Sequence, residues 1–151
     1  MATMHPSDTD RTAPPTWLPT AALVVGATFL LVGVLGFIPG ITTNYDDLTF
    51  AGHYSEAKLL GIFEVSVLHN IVHLLFGVVG LIAARAARTA GQYLLIGGLV
   101  YAVLWVYGMV IDKDSSANFV PLNSADNWLH FVLAVVMITL GAIGLRRLRD
   151  R

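Results

Sequence analysis

Residues 61–84, GIFEVSVLHNIVHLLFGVVGLIAA, decide the fold. The stretch is apolar for longer than the roughly 20 residues a helix needs to cross the hydrocarbon core of a bilayer. It nevertheless carries His69, Asn70 and His73 in its middle. Ionisable side chains at that depth are costly, so they face a protein interior and mark a polar site. Two imidazoles one helical turn apart therefore predict both a membrane helix and the direction in which it points.

Working outward, three further apolar runs of near-membrane length bracket this one, so the four cover about residues 18–38, 59–84, 93–111 and 128–145. With 56% hydrophobic and 13% charged residues in 151, the chain is too apolar for an ordinary soluble domain and too short to build one beside four spans. The fold class expected is all-α: an integral membrane four-helix bundle in residues 18–145. A disordered cytoplasmic tail, 1–17, precedes it and a basic cytoplasmic end, 146–151, follows. The tail is polar and proline-rich and has no basic n-region of a signal peptide. Without cysteine, disulfides, thiolate ligands and thiol nucleophiles are excluded.

Charge sets the orientation. The tail, the 85–91 turn and the C-terminus hold Arg11, Arg85, Arg88, Arg146, Arg147, Arg149 and Arg151, whereas the 39–58 and 112–126 loops hold only Lys58 and Lys113. By the positive-inside rule both termini are cytoplasmic and the protein is a multi-pass protein of the cell membrane. Its partner is the lipid bilayer, with a second membrane protein or another copy of the chain as a possible neighbour. No nucleic-acid partner is expected.

Helix 1 should open after Pro19 and stop at the GFIPG of residues 36–40, helix 2 should be capped by Ser55, and Asn123 and Ser124 should cap helix 4. The short 85–91 turn predicts an antiparallel hairpin of helices 2 and 3. Trp17, Tyr93 and Trp128 fall where interfacial aromatic belts form. No internal repeat is apparent. Steps of three to four residues select the inward faces: Ser66, His69, Asn70, His73, Gly77 and Gly80 on helix 2, and Asp126, Asn127, His130, Ala134, Met137, Gly141 and Gly144 on helix 4. Helix 3 offers Gly97, Tyr101, Trp105, Gly108 and Asp112, and helix 1 offers Ala22, Gly26, Gly33 and Gly36. Small residues let membrane helices approach closely, and polar ones bond across them.

His69 and His130 each lie 15 residues from the basic end of their helix, at Ala84 and Leu145. At about 1.5 Å per residue, both sit roughly 22 Å above the cytoplasmic edge. Three readings of the histidines stand side by side. The imidazoles bond across the bundle to Asn70, Ser66 or Tyr101 and fix helix register; or His69, His73 and His130 ligate a transition metal; or His69 and His130 hold a haem b between facing helices. A proton or quinone site is a further possibility. Glu64 lies too far around its helix to be a fourth ligand and is expected at the outer interface. Asp112 and Asp126 are expected to be solvated helix ends, and His5 and His53 to be exposed. HNIVH lacks the glutamate of a zincin HExxH, so metalloprotease chemistry is unsupported. The outer loop at 112–126 is expected to fold back over the bundle mouth, with Phe119 and Val120 docking and Asn118 or Asn123 satisfying backbone groups.

The strings SVLHNIVHLLFGVVGL, YLLIGGLVYAVLWVYGMVID and ANFVPLNSADNWLHFVLAVVMI, with LVGVLGFIPGITTNY ahead of them, resemble the bacterial four-helix membrane proteins grouped as domain of unknown function 4383, over about residues 20–145. The resemblance implies four membrane spans and brings no activity. His69, Asn70, His73, Asp112, Asn118, Pro121, Asn127, Trp128 and His130 lie inside the resembling strings. The function expected is thus a non-enzymatic accessory or interaction subunit, or alternatively a haem- or metal-binding redox protein.

Overall fold

Helix propensity and apolar length give four helices in a computed structural model that describes residues 16–52 and 54–150. The expectations for the tail up to residue 15, for His53 and for Arg151 lie outside the described residues. The helices are α1 (Trp17–Leu35), α2 (Val67–Ala83), α3 (Ala87–Val110) and α4 (Ser124–Arg149). α1, α3 and α4 are long and apolar enough to cross a membrane; α2, at 17 residues, is shorter. α1 opens before Pro19, which sits in the first turn where its missing N–H costs nothing. α3 begins well before Tyr93, so the turn from α2 shrinks to residues 84–86. α4 runs on through Arg146, Arg147 and Arg149.

The largest correction concerns the start of α2. The apolar residues 59–65 do not extend the helix. They supply half of a three-stranded antiparallel sheet, β1 (Thr42–Thr43), β2 (Lys58–Leu59) and β3 (Phe63–Glu64), with Thr42 opposite Leu59 and Leu59 opposite Phe63. Leu60 and Gly61 reverse the chain with φ of 54° and 72°. Only glycine adopts that left-handed conformation freely, so Gly61 is what lets the run fold back on itself. The sheet buries Ala57, Leu59 and Val65 against Val32 and Leu35 of α1. Ser55 therefore caps nothing: it is buried and its hydroxyl donates to the Val65 carbonyl. The N-cap is Ser66, whose side chain accepts from the His69 N–H at 3.1 Å.

The bundle packs as two pairs, α1 with α2 and α3 with α4, while the sequential neighbours α2 and α3 touch far less. Backbones meet where glycine allows it. A Cβ on Gly26 would sit 3.0 Å from backbone atoms of Gly77, Gly80 and Leu81. Between the pairs, Phe29 of α1 and Tyr101 of α3 stack with centroids 5.5 Å apart and planes within 2°. The inward faces of α2 and α4 are those the spacing selects, as are the buried Ala22, Gly26 and Gly33 of α1 and Gly36 at its C-cap. On α3, Gly97, Tyr101 and Gly108 are buried, but Trp105 is half-buried and Asp112 exposed. Tyr93 does not join an interfacial belt: it is buried, and its hydroxyl donates to the Phe76 carbonyl.

Candidate functional site: a histidine layer inside the bundle

Ser66 fixes the first turn of α2, and the 3.6-residue period then carries His69, Asn70 and His73 inward. The His73 Nδ1–H donates to the His69 carbonyl at 3.0 Å, because a carbonyl can only accept. The two rings lie 4.3 Å apart at 72°, and His73 also meets the edge of Phe29 at 5.4 Å. The Asn70 amide lies on Gly36, where a Cβ would come within 2.1 Å of its Oδ1. On α4 the cap is Asn123, in a reciprocal capping box with Asp126. Asn127 lies on Gly108 in the same way, and His130 packs against Tyr101 at 5.1 Å.

His69, His73 and His130 are all buried, His130 to 4% exposure. The three line the same two cavities. One of about 240 Å³ lies between α2 and α3 and includes Tyr101; the other, about 220 Å³, lies between α1 and α4 and includes Asp126. Four buried side-chain polar atoms of α2 and α4 have no hydrogen-bond partner: His69 Nδ1 and His130 Nδ1, on residues that line the cavities, and Asn70 Nδ2 and Asn127 Oδ1, on residues that do not. The Glu64 backbone carbonyl lies beside the His69 ring. A bond of His73 within its own helix takes the place of the expected cross-bundle bonds from Asn70, Ser66 or Tyr101. Among the described residues no three His, Asp or Glu side chains are grouped to hold a metal ion. Each cavity is also below the roughly 300 Å³ at which sites for drug-sized ligands begin. A porphyrin would have to part the helices.

Asp126 is not a solvated helix end. It is 2% exposed, and its Oδ2 accepts from the Asn123 N–H at 3.0 Å and from the Glu64 N–H at 3.1 Å. The Asn123 side chain also donates to the Ile62 carbonyl at 2.7 Å. Two of these hydrogen bonds tie the β2–β3 hairpin to the start of α4. The signal was in the sequence as Asn-Ser-Ala-Asp, a cap followed three residues later by a carboxylate; its partner at Glu64 was not. Glu64 itself is half-buried in β3.

The loop between α3 and α4 folds back as its composition suggests. Asn118 is buried, donating to the Lys113 and Leu122 carbonyls and accepting from the Leu122 N–H. The Tyr107 hydroxyl donates to the Ala117 carbonyl, and the Gly52 N–H to the Phe119 carbonyl at 2.8 Å, which joins the α1–α2 and α3–α4 loops. Phe119 and Val120 line the outer end of the α2–α3 cavity. Trp105, expected on the inward face of helix 3, packs on Phe131 at 5.0 Å.

The family described as Domain of unknown function (DUF4383) matches residues 20–143. No curated protein and no solved structure matches the chain.

Proposed function

The chain belongs to the DUF4383 family, a domain of unknown function, and we propose that it is a non-enzymatic four-span protein of the cell membrane that acts through the polar interior of its bundle, as an accessory binding subunit. The observation that carries this is the inverted polarity of α2. Its histidines and Asn70 are buried while Leu75, Val78, Val79 and Ile82 are each about half exposed. The other helices repeat it: Leu23, Leu31, Ile96, Val103, Val132 and Val135 all face outward. In water such a belt would far exceed the few hundred Å² that monomers expose; in lipid it is matched. The 17 residues of α2 reach about 25 Å, a shortfall that local bilayer thinning and flanking residues accommodate at modest cost. The arginines at the 84–86 turn and at the end of α4 favour both termini in the cytoplasm. The glycines between the helices are used in closing the bundle, which leaves aliphatic faces for lipid or for a neighbouring membrane protein.

A second reading, a haem or metal protein, is favoured by the buried Nδ1 atoms of His69 and His130 that find no partner. An absorption spectrum and metal analysis of the purified protein separate the two. The accessory reading expects no Soret band and metal well below one per chain. A Soret band that vanishes in His130→Leu would establish the haem reading instead.

A further inference from the structure

The two helical hairpins match position for position. Ser66 and Asn123 cap α2 and α4, each accepting from the N–H three residues on. At the same spacing from these caps come His69 and Asp126, Asn70 and Asn127, His73 and His130, Gly77 and Ala134, all buried. In the partner helices Gly26 answers to Gly98, Phe29 to Tyr101 and Gly36 to Gly108, again all buried. The contacts repeat too. Asn70 lies on Gly36 and Asn127 on Gly108, and Phe29 touches His73 as Tyr101 touches His130. Phe29 and Tyr101 then stack on each other, which puts a pseudo-two-fold axis between them. Both hairpins run in the same direction, so the axis follows the bundle, as in parallel membrane repeats. HNIVH against DNWLH is too little identity to reveal this by sequence.

The repeat explains why there are two cavities: α2–α3 and α1–α4 are equivalent seams, and both end on the same histidines. Polar side chains are kept at the cap and the next three inward positions of both hairpins, the first two turns of α2 and α4, so the polar layer lies towards one end of the bundle. Both seams open sideways. Val72 and Val100, each about two-fifths exposed on the bundle exterior, flank the first. Leu31 and Leu129 flank the second. Towards the outer surface, Phe119 and Val120 close the first seam, and Leu59, Leu60 and Phe63 the second. A ligand entering by either seam would come from the hydrocarbon phase.

We propose that the histidine layer binds the head ring of a lipid-soluble quinone or quinol that enters through the α2–α3 seam. This rests on the membrane reading given above and names the ligand class of that interior. Flat aromatic walls at Tyr101 and His73 and a volume of about 240 Å³ suit one ring, whereas a porphyrin would have to part the helices. A quinone carbonyl accepts from an imidazole N–H, and a quinol hydroxyl donates to a bare imidazole nitrogen; the neutral ring offers both. The isoprenoid tail leaves between Val72 and Val100 into lipid. Binding alone is proposed, with no electron transfer.

The test is thermal unfolding of the full chain in nanodiscs, followed by circular dichroism during titration with decylubiquinone, with decanol as a ring-less control. Ligand that binds the folded state alone raises Tm saturably. The expected result is a saturable rise with decylubiquinone and none with decanol. The apparent affinity should fall at least tenfold in His130→Phe, which keeps the ring and loses the nitrogens, and in Val100→Trp, which plugs the seam from an exposed position. Val135→Trp, on another lipid-facing surface, should leave it unchanged. No saturable rise, an equal rise with decanol, or affinity unaltered by both seam and histidine variants overturns the proposal. Cysteine labelling tests the membrane reading separately, so a failed titration in a correctly inserted protein retires the ligand and not the topology.

Discussion

Gly141→Val is expected to prevent stable assembly of α3 on α4. A Cβ at Gly141 would sit 2.5 Å from the Leu95 nitrogen, 2.8 Å from the Leu95 Cα and 2.9 Å from the Gly91 oxygen. All three are backbone atoms of a neighbouring helix, and none can rotate away. Even Gly141→Ala must push the helices apart, at a cost of about 1–3 kcal/mol, and a branched side chain exceeds that. Gly91→Ala is the matched control, because its Cβ would meet only the Leu145 side chain, at 2.9 and 3.0 Å, and then Leu18 at 3.7 Å. Denaturant titration in detergent should show Gly91→Ala close to wild type and Gly141→Ala clearly destabilised. Equal stability of the two would mean that the α3–α4 approach is looser than described.

Asp126→Ala should have the next largest effect. It removes the shared acceptor of the Asn123 and Glu64 N–H groups and half of the capping box. Each of the two N–H groups left unpaired costs about 1–3 kcal/mol. A combined loss of about 3 kcal/mol is therefore expected. Amide exchange should accelerate in β2 and β3 as well as in the first turn of α4, because the carboxylate joins them. Asp126→Asn keeps an oxygen acceptor and should recover most of the stability. Accelerated exchange confined to the first turn of α4 would show that the bond to Glu64 does not hold the sheet.

Much of the interior was legible in the sequence because a bilayer tolerates few polar residues, so each one reports a direction. His69, Asn70 and His73 recur at helical spacing, and Asp126, Asn127 and His130 do so again; both sets are buried as that spacing requires. Hydropathy summed over residues 59–65 could not distinguish a helix from a sheet, since Leu59, Ile62, Phe63 and Val65 are equally apolar in either. What decides it is the reversal at Leu60–Gly61. The burial of Asp126 was hidden for another reason: its partner is the backbone of Glu64, 62 residues away. A side chain's polarity says nothing of a distant N–H. Tyr93 was misplaced because its composition suits an interface, while the Phe76 carbonyl offers its hydroxyl an acceptor inside. The repeat escaped notice because contact positions, not sequence strings, are what the two hairpins share.

The central claim is that all four helices, the short α2 included, cross the bilayer around a polar interior. The chain has no cysteine, so single substitutions report cleanly. The most direct measurement is labelling of Asp46→Cys, Ala86→Cys, Ser116→Cys and Asp150→Cys by a membrane-impermeant maleimide in intact cells; all four positions are exposed in the structure. Asp46→Cys and Ser116→Cys should label at once, and Ala86→Cys and Asp150→Cys only after permeabilisation. Labelling of Asp46→Cys and Ala86→Cys from the same side would contradict the account, because α2 would then not span the membrane.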